Sequence, residues 1–313
     1  MHTQHFSHGT PGHSVFEISP IGLGTWAWGD KMVWSYGTGY ADDDIRDAYL
    51  ISVHAGVTFI DTAEVYGWGA SERFIGKFIK ETGNECIIAT KFMPFPWRIT
   101  KKSLRRALKR SLKRLQTSHV DLYQIHWPFP PVPARVWMDA MADVVEDGLV
   151  KAVGVSNYSK EQMLRAYDQL AKRNIPLASN QVEYSLMMRE PEKTRLLDTC
   201  HRLGITPIAY SPLAMGMLTG KYSVSNRPSG LRNRRYGKNK LKKIEKLVGL
   251  LREIGNKHGG KSPAQVALNW TMCKGTVPIP GAKNAKQAEQ NAGALGWKLT
   301  EDEIEILDQT SGW

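Results

Sequence analysis

Four ionisable side chains of four different types follow apolar segments in the first half of the chain. Asp61 ends the segment FID and is followed by Tyr66 in DTAEVYG, Lys91 ends ATK, and His126 ends DLYQIH. Reduction of a carbonyl group by a nicotinamide needs a hydride for carbon and a proton for oxygen. A tyrosine phenol can donate that proton, but its ordinary pKa is about 10. Tyr66 therefore needs neighbours that make it a stronger acid.

The other three side chains can supply what a lone tyrosine lacks. A nearby ammonium stabilises a phenolate, so Lys91 should lower the pKa of Tyr66. Asp61 can hold Lys91 through a charge-assisted hydrogen bond and keep it protonated. His126 can donate a hydrogen bond to the carbonyl oxygen and stabilise developing negative charge. Together the four residues predict carbonyl reduction, with Tyr66 as the proton donor.

Each of these residues also has a common structural role when it is taken alone. An aspartate after a strand often caps a turn, and a lysine is usually a solvated surface charge. A histidine beside a tryptophan is more often structural than catalytic, and a tyrosine before a glycine is usually packing or part of a turn. The catalytic interpretation depends on all four lying at successive strand ends.

Eight short apolar or β-branched segments alternate with amphipathic segments, as expected for parallel strands that are covered by helices. Strands are predicted over residues 21–25, 57–61, 86–91, 120–126, 152–156, 179–183, 206–210 and 276–279. Helices are predicted over residues 42–54, 71–80, 101–115, 137–147, 159–173, 192–203, 241–258, 263–273 and 286–294. This alternation predicts an α/β fold, a closed (β/α)₈ TIM barrel with catalytic groups at the carboxyl ends of its strands.

An open doubly wound sheet is the alternative fold. If such a sheet bound a dinucleotide, it would carry GxGxxG after its first strand, and IGLGTWAWG lacks that spacing. We expect one domain over residues 1–313, with residues 1–14 as a flexible tail. Residues 211–240 should form a long loop that covers the cofactor on the active face.

The composition fits a globular protein and argues against several other classes. Hydrophobic residues make up 42% of the chain and charged residues 23%, and no apolar run reaches the length of a membrane-spanning helix. Neither a secretory signal nor a CxxC pair is seen, so we expect a reducing compartment. The predicted location is the cytoplasm, or the plastid stroma if the chain is a processed plant protein.

The net charge of +12 is concentrated in two segments. Residues 98–114 carry nine Lys and Arg and no acid, and they are interpreted as the solvated face of a helix. Residues 221–246 carry ten Lys and Arg and one acid, and they either close over cofactor phosphates or form a solvated loop. The residues proposed to close over the phosphates are Lys221, Arg227, Arg232, Arg234 and Arg235. No nucleic-acid-binding motif accompanies either segment, so we expect no nucleic-acid partner.

No metal site is expected. The early histidines His2, His5, His8 and His13 are assigned to the tail, and HxH and HExxH pairs are absent. A metal-dependent barrel hydrolase is therefore disfavoured.

Several ordered motifs resemble the aldo-keto reductase superfamily. These motifs are DTAEVYG, ATK, DLYQIHWP, GVSNYS, SNQVEYS, IAYSPLAMGMLTGKY and IPGAKN, and the resemblance extends from residue 21 to about residue 291. The segment GTWAWGD and the SPL-type loop look most similar to the bacterial and plant branch, which includes plastid and pyridoxal-reductase-like proteins. The resemblance implies that Asp61, Tyr66, Lys91 and His126 form the catalytic tetrad of that superfamily.

The resemblance also implies an NADPH or NADP site. Ser156, Asn157 and Gln181 correspond to residues that bind the nicotinamide carboxamide, and Tyr210 corresponds to an aromatic that stacks on the nicotinamide ring. The loop over the pyrophosphate is represented by Ser211, Leu213, Gly216 and Lys221, and the adenosine end by Gly281, Lys283, Gln287 and Asn291. Gly24, Thr25 and Trp26 are assigned to the same cofactor site.

One position departs from the family pattern. Many relatives have an arginine where this chain has Gln287. Lys283 is expected to supply the positive charge for the 2′-phosphate instead.

The substrate is expected to be a small carbonyl compound. Aromatic residues on the predicted strand-end loops favour a flat or apolar substrate: Trp26, Trp28, Trp34, Tyr36, Phe95, Trp97 and Trp127. The alternative function is an NADPH-binding regulatory or interaction module with little turnover. We expect a monomer or a weak homo-oligomer, and no membrane partner.

Overall fold

The computed structural model describes residues 4–6, 16–228 and 236–312. Eight parallel strands form a barrel, β3 to β10 in chain order, each paired with the next. Before them, β1 and β2 form a separate antiparallel pair. The strands are β1 Gln4–Phe6, β2 Phe16–Ile18, β3 Gly22–Gly24, β4 Phe59–Asp61, β5 Ile87–Phe92, β6 Val120–Ile125, β7 Val150–Ser156, β8 Leu177–Glu183, β9 Thr206–Tyr210 and β10 Val277–Pro278.

Close backbone approach at Gly24 completes the barrel. Gly24 forms a parallel bridge with Gly281, and its N–H donates to the Pro280 carbonyl at 3.0 Å. A Cβ at Gly24 would lie 2.6 Å from the carbonyl oxygen of Ile279. A larger residue would therefore push the first and last strands of the barrel apart.

Helices alternate with the barrel strands from β3 onward. They are α1 Asp42–His54, α2 Ala70–Thr82, α3 Lys101–Leu115, α4 Ala134–Glu146, α5 Lys160–Ala171, α6 Glu190–Lys193, α7 Leu196–Arg202, α8 Lys238–Lys257, α9 Pro263–Cys273, α10 Ala285–Ala292 and α11 Glu301–Thr310. Ser159 caps α5 and Ser262 caps α9, each by accepting a hydrogen bond from the third residue of its helix.

The predicted TIM barrel is confirmed, and all eight predicted strands are present. The single helix predicted over 192–203 is wrong, because the chain breaks it at Arg195, whose φ is +56°. The predicted loop over 211–240 is interrupted by a short 3₁₀ helix, Ala214–Thr219, and α8 already begins at Lys238. Residues 4–6, within the segment expected to be a tail, pair with β2.

Most basic side chains of α3 are exposed, as expected, and three of them also form ion pairs. Its predicted apolar stripe, from Leu104 to Leu115, is buried, as expected. However, Lys101 lies 3.4 Å from Asp143, and Arg105 pairs with Asp147. Arg114 contacts the buried Glu72 of α2 at 2.5 Å. These three ion pairs hold α3 against its neighbours.

A cluster of apolar side chains fills the end of the barrel opposite the predicted site. Ile18 of β2 packs there with Phe59, Leu122 and residues of the other strands. Among the described residues, no helix is long and apolar enough to cross a membrane.

Candidate active site

The carboxyl ends of three neighbouring strands bring the four predicted catalytic residues together. Asp61 ends β4, Lys91 lies in β5, and His126 directly follows β6. Tyr66 begins a 3₁₀ turn, Tyr66–Gly69, after β4. Lys91 Nζ lies 2.5 Å from Asp61 Oδ2 and 3.4 Å from Tyr66 Oη, and the Tyr66 and His126 rings are 5.8 Å apart.

The turn that carries Tyr66 requires a glycine. Gly67 has a φ of +54°, and a Cβ there would lie 2.8 Å from the carbonyl carbon of Gly29. The turn therefore packs backbone against backbone on the loop that follows β3. This contact fixes the position from which the Tyr66 phenol enters the site.

Lys91 is completely buried, and its ammonium group has three acceptors. It donates to Asp61 and Tyr66 and also to the Thr62 carbonyl at 2.8 Å. Burial lowers the pKa of Lys91, and the Asp61 carboxylate opposes that effect. An unpaired ammonium would be costly at this depth, so Asp61 keeps the charge in place.

The phenol of Tyr66 behaves differently from the expectation. Burial raises the pKa of Tyr66 well above its ordinary value, and Asp61 and Tyr210 add to the increase. The lower pKa expected for Tyr66 is wrong for the protein alone, because burial and the Asp61 charge raise it. The phenol is consequently protonated at neutral pH, as a proton donor must be.

His126 is buried and neutral. Burial, followed by the Lys91 charge, holds the pKa of His126 well below 6.5. Its Nδ1 has no hydrogen-bond partner in the described part of the chain. A neutral imidazole carries one N–H, so His126 can orient a carbonyl oxygen but does not compete with Tyr66 as the acid.

Two glutamines complete the surroundings of Asp61. Its Oδ1 accepts from Gln181 Nε2 at 2.7 Å and from Gln124 Nε2 at 3.3 Å. The family resemblance implied a cofactor role for Gln181 and no role for Gln124. The only signal for Gln124 was its position two residues before His126 in DLYQIH.

Glu64 is a second residue that sequence reasoning missed. It pairs with Arg98 and accepts from the Met93 N–H at 2.8 Å. This contact joins the loop that carries Tyr66 to the loop that follows β5. Glu64 lies in DTAEVYG and Arg98 in the basic segment 98–114, but no spacing rule connects them.

The residues assigned to the nicotinamide lie together at the ends of β7, β8 and β9. Tyr210 Oη donates to Asn157 Oδ1 at 2.9 Å, and Asn157 Nδ2 donates to Ser156 Oγ at 3.1 Å. Ser156 Oγ in turn donates to the Gln181 carbonyl at 3.0 Å. This chain of hydroxyl and amide groups lies beside the tetrad, because Gln181 also contacts Asp61.

The segment assigned to the pyrophosphate follows β9 directly. It contains Ser211 and Leu213 and continues into the short 3₁₀ helix, where Gly216 has a φ of +91°. Lys221 and Arg227 are exposed beyond it. Arg232, Arg234 and Arg235 lie outside the described residues.

The residues assigned to the adenosine end meet the first loop of the barrel. Lys283 Nζ donates to the Trp34 carbonyl at 3.1 Å and lies 4.7 Å from the Trp34 ring centre. The Gln287 side chain accepts from the Lys283 N–H at 2.9 Å, and Asn291 Nδ2 donates to the Gly281 carbonyl at 3.2 Å. Gln287 and Asn291 therefore organise the turn before α10.

The first loop of the barrel connects the two ends of the site. Thr25 Oγ1 donates to the Asp61 carbonyl at 2.8 Å, and the Trp26 ring lies 6.4 Å from the Tyr66 ring. Trp26 and Trp97 are exposed, as expected for a mouth. Trp28 is wrong as a mouth residue, because it is completely buried and donates to the Ala282 carbonyl.

No metal centre competes with this site in the described residues. Within the ranges 4–6, 16–228 and 236–312, no three His, Cys, Asp or Glu side chains are grouped as metal ligands.

Comparisons with known proteins agree with the geometry. The sequence profile of the Aldo/keto reductase family matches residues 20–311. The chain is 44% identical over 299 residues to a chloroplastic pyridoxal reductase of Arabidopsis thaliana, covering 91% of this chain and 81% of the relative.

Solved structures show the same fold. A glycerol dehydrogenase from Gluconobacter oxydans has a TM-score of 0.84 at 27% identity. The match covers 98% of this chain and 94% of the dehydrogenase chain. An aldo-keto reductase from Klebsiella pneumoniae in complex with NADPH has a TM-score of 0.74 at 28% identity. The match covers 94% of this chain and 92% of the Klebsiella chain.

Proposed function

The chain belongs to the aldo/keto reductase family, and we propose that it reduces aldehydes or ketones with NADPH, using Tyr66 as the proton donor. It is an oxidoreductase by family. The observation that carries the proposed mechanism is the contact of Lys91 Nζ with both Asp61 and Tyr66 inside the barrel. A buried ammonium between a carboxylate and a phenol is an arrangement suited to proton transfer.

The residues present fit a nicotinamide cofactor. Ser156, Asn157 and Tyr210 form a connected polar group at the mouth, where an amide ligand can exchange hydrogen bonds. Gly216 leaves open space beside its backbone, with the nearest atom 3.9 Å from a Cβ placed there. When bound, NADPH supplies the hydride for the carbonyl carbon. The family relative crystallised with NADPH supports this choice of cofactor.

The chain's own residues then handle the carbonyl oxygen. Tyr66 gives its phenolic proton to that oxygen, and Lys91 stabilises the phenolate that remains. Asp61 keeps Lys91 charged and in position. The neutral His126 donates a hydrogen bond that orients the oxygen before transfer.

We propose an aromatic aldehyde as the substrate class. The Trp127 and Phe129 rings stack at 5.5 Å near the strand end that carries His126, and the exposed Trp26 lies near Tyr66. The relative named pyridoxal reductase is itself named for a flat aromatic aldehyde. For the location, we propose the cytoplasm, or the plastid stroma in a plant.

The test is a panel of carbonyl compounds that includes pyridoxal, with the loss of NADPH absorbance as the readout. We expect wild type to turn over at least one aromatic aldehyde. Tyr66→Phe should reduce it at least about a hundredfold more slowly and still bind NADPH, since general acid catalysis is worth about 10²–10⁴-fold.

The matched control is Tyr158→Phe, which removes a buried hydroxyl that has no hydrogen-bond partner among the described residues. It should leave turnover unchanged. NADPH binding without turnover of any carbonyl would favour the regulatory module instead. Near-normal turnover in Tyr66→Phe would contradict the proton-donor role.

A further inference from the structure

Gln124 lies in the barrel interior beside the proposed catalytic groups. It is completely buried in β6, and its backbone is in register with Lys91 of β5 and Gly154 of β7. Its Nε2 lies 3.3 Å from Asp61 Oδ1, and its Oε1 lies 3.4 Å from Gln181 Nε2. A single buried amide therefore touches both the Asp61 carboxylate and a residue of the nicotinamide group.

The chemistry of Asp61 settles which end of the Gln124 amide faces it. An ionised carboxylate only accepts hydrogen bonds, so the NH₂ group of Gln124 must be the end that approaches Oδ1. The other carboxylate oxygen, Oδ2, already accepts from Lys91. The two sides of the carboxylate are thus held separately, one by the ammonium and the other by amides.

The barrel makes room for this side chain. A Cβ at Gly154 would lie 3.1 Å from Gln124 Cγ and 2.2 Å from Ser179 Oγ. The absence of a side chain at Gly154 therefore leaves the interior space in which Gln124 extends toward Asp61.

We propose that Gln124 is a positioning residue for carbonyl reduction: it fixes the Asp61 carboxylate so that Lys91 stays directed at Tyr66. The inference rests on the proposed function. Gln181 donates to the same carboxylate oxygen at 2.7 Å, but it is also assigned to the nicotinamide. Gln124 has no cofactor role assigned to it, so its replacement tests the contact with Asp61 separately.

Loss of this amide should make the Tyr66 phenol harder to ionise. Without the N–H dipole, the Asp61 charge acts more strongly on Tyr66, and Lys91 is held less firmly. Both changes raise the pKa of Tyr66. The other charged or titratable groups that face this centre are His126 after β6, Tyr210 at the end of β9 and Glu72 of α2, and none of them is altered.

The test variant is Gln124→Met, which keeps the length of the side chain and removes the donor. Alcohol oxidation with NADP⁺ needs the phenolate, so its rate rises with pH as Tyr66 ionises. We expect the midpoint of that rise to move up by about half to one pH unit, because a hydrogen bond to a charged group is strong enough to move an ionisation by this amount. The rate on the rising limb should fall about three- to tenfold.

A second readout follows the phenol itself. With ¹³C at the ζ carbon of tyrosine, the Tyr66 resonance is identified by its loss in Tyr66→Phe. Without cofactor, this resonance should begin to shift at a higher pH in Gln124→Met than in wild type. Gln124→Asn, whose shorter amide does not reach Asp61, should move the same resonance in the same direction and serves if the methionine variant folds poorly.

The matched control is Ser179→Ala. Ser179 lies on β8 in register with Gly154, and its buried hydroxyl has no hydrogen-bond partner in the part of the chain that the structure describes. Its removal should leave the pH profile and the Tyr66 resonance at their wild-type positions. In an Asp61→Asn background, Gln124→Met should add no further shift.

An unshifted profile and resonance in Gln124→Met would overturn the inference, and so would an equal shift in the Asp61→Asn background. A uniform loss of rate with no change in pH dependence would also overturn it, because that indicates packing alone. If wild type is active and Tyr66→Phe is not, these results count against Gln124 only. Wild type without turnover on any carbonyl counts against the proposed function.

Discussion

Asp61 and Lys91 are buried together, and neither charge is stable in this position without the other. Both side chains are almost completely inaccessible, and the two charged atoms lie 2.5 Å apart. Removing one partner of such a pair leaves an uncompensated buried charge, which costs about 3–5 kcal/mol. The Asp61–Lys91 ion pair therefore contributes both to the stability of the fold and to the proposed reaction. Variants of either residue should be measured for stability as well as activity.

Lys91→Met should lower the rate of carbonyl reduction about as much as Tyr66→Phe does. It should also lower the melting temperature. The activity is lost because the phenolate has no ammonium beside it, and the stability is lost because Asp61 is left unpaired. The double variant Asp61→Asn with Lys91→Met removes both charges. It should recover much of the melting temperature and none of the activity. Turnover near wild type in Lys91→Met would exclude the role given to this ammonium.

Residue types and spacing predicted the four members of the candidate site but not the orientation of their side chains. DTAEVYG, ATK and DLYQIH place ionisable groups at strand ends, and strand ends meet in a barrel. Nothing in the sequence says that Gln124 turns inward to Asp61, or that Trp28 is buried while Trp26 is exposed. The pKa of Tyr66 was predicted in the wrong direction because the depth of burial cannot be read from a motif.

Several helices were predicted with the correct bounds. α1, α3 and α9 begin and end at the predicted residues. The break at Arg195 and the helix α11 were missed. Arg195 adopts a positive φ although it is not a glycine, and α11 lies after IPGAKN, the last of the family motifs. The pairing of α3 with neighbouring helices depends on tertiary packing, which a basic segment alone does not reveal.

One buried carboxylate of α2 forms an ion pair with α3. The Glu72 side chain is inaccessible and accepts from Thr90 Oγ1 at 2.6 Å and from Arg114 Nε at 2.5 Å. Arg114→Met should destabilise the protein by about 3–5 kcal/mol, because Glu72 is left buried without its cation. Arg110→Met, an exposed change on the same helix, should stay within about 0.5 kcal/mol. Urea unfolding of the two variants measures the difference, and equal stabilities would show that the α2–α3 ion pair contributes nothing.

The turn between β10 and α10 carries the proposed preference for NADPH. The N-terminus of α10 favours phosphate through its dipole, and Lys283 adds a full charge beside it. Lys283→Glu should raise the KM for NADPH about ten- to a hundredfold and spare NADH, since a hydrogen bond to a charged group is worth about 1.5–3 kcal/mol. Cofactor titrations on wild type and variant measure this.

Lys283→Met is the matched control, because Lys283 also packs on the rings of Trp34 and Tyr40. It removes the charge and keeps part of that packing, so it should weaken NADPH binding less than the glutamate variant. Equal KM values for NADPH and NADH in wild type would refute the preference. If Lys283→Glu leaves the preference for NADPH unchanged, the 2′-phosphate would instead be assigned to the basic segment after β9, beginning with Arg227.

The whole barrel separates a closed end from a functional end. Apolar side chains such as Ile18, Phe59 and Leu122 fill one end. The buried polar groups of the proposed site lie at the other. This separation explains why a short list of strand-end motifs is enough to predict the candidate site. It also places several titratable groups in the interior, so the stability of the entire molecule should depend on pH.

His126 gives that dependence a definite sign. Its folded-state pKa lies well below 6.5, while the unfolded chain should titrate near the ordinary value of about 6.5. Below about pH 6.5 the unfolded state therefore binds one more proton than the folded state, and the free energy of unfolding falls by up to about 1.4 kcal/mol per pH unit from this group. His126→Gln removes the titration, so its stability should fall less steeply between about pH 6.5 and 5 than that of wild type. Urea unfolding across this range measures both slopes. Parallel curves would mean that the pKa of His126 is the same in the folded and the unfolded protein, which would contradict the lowering by burial.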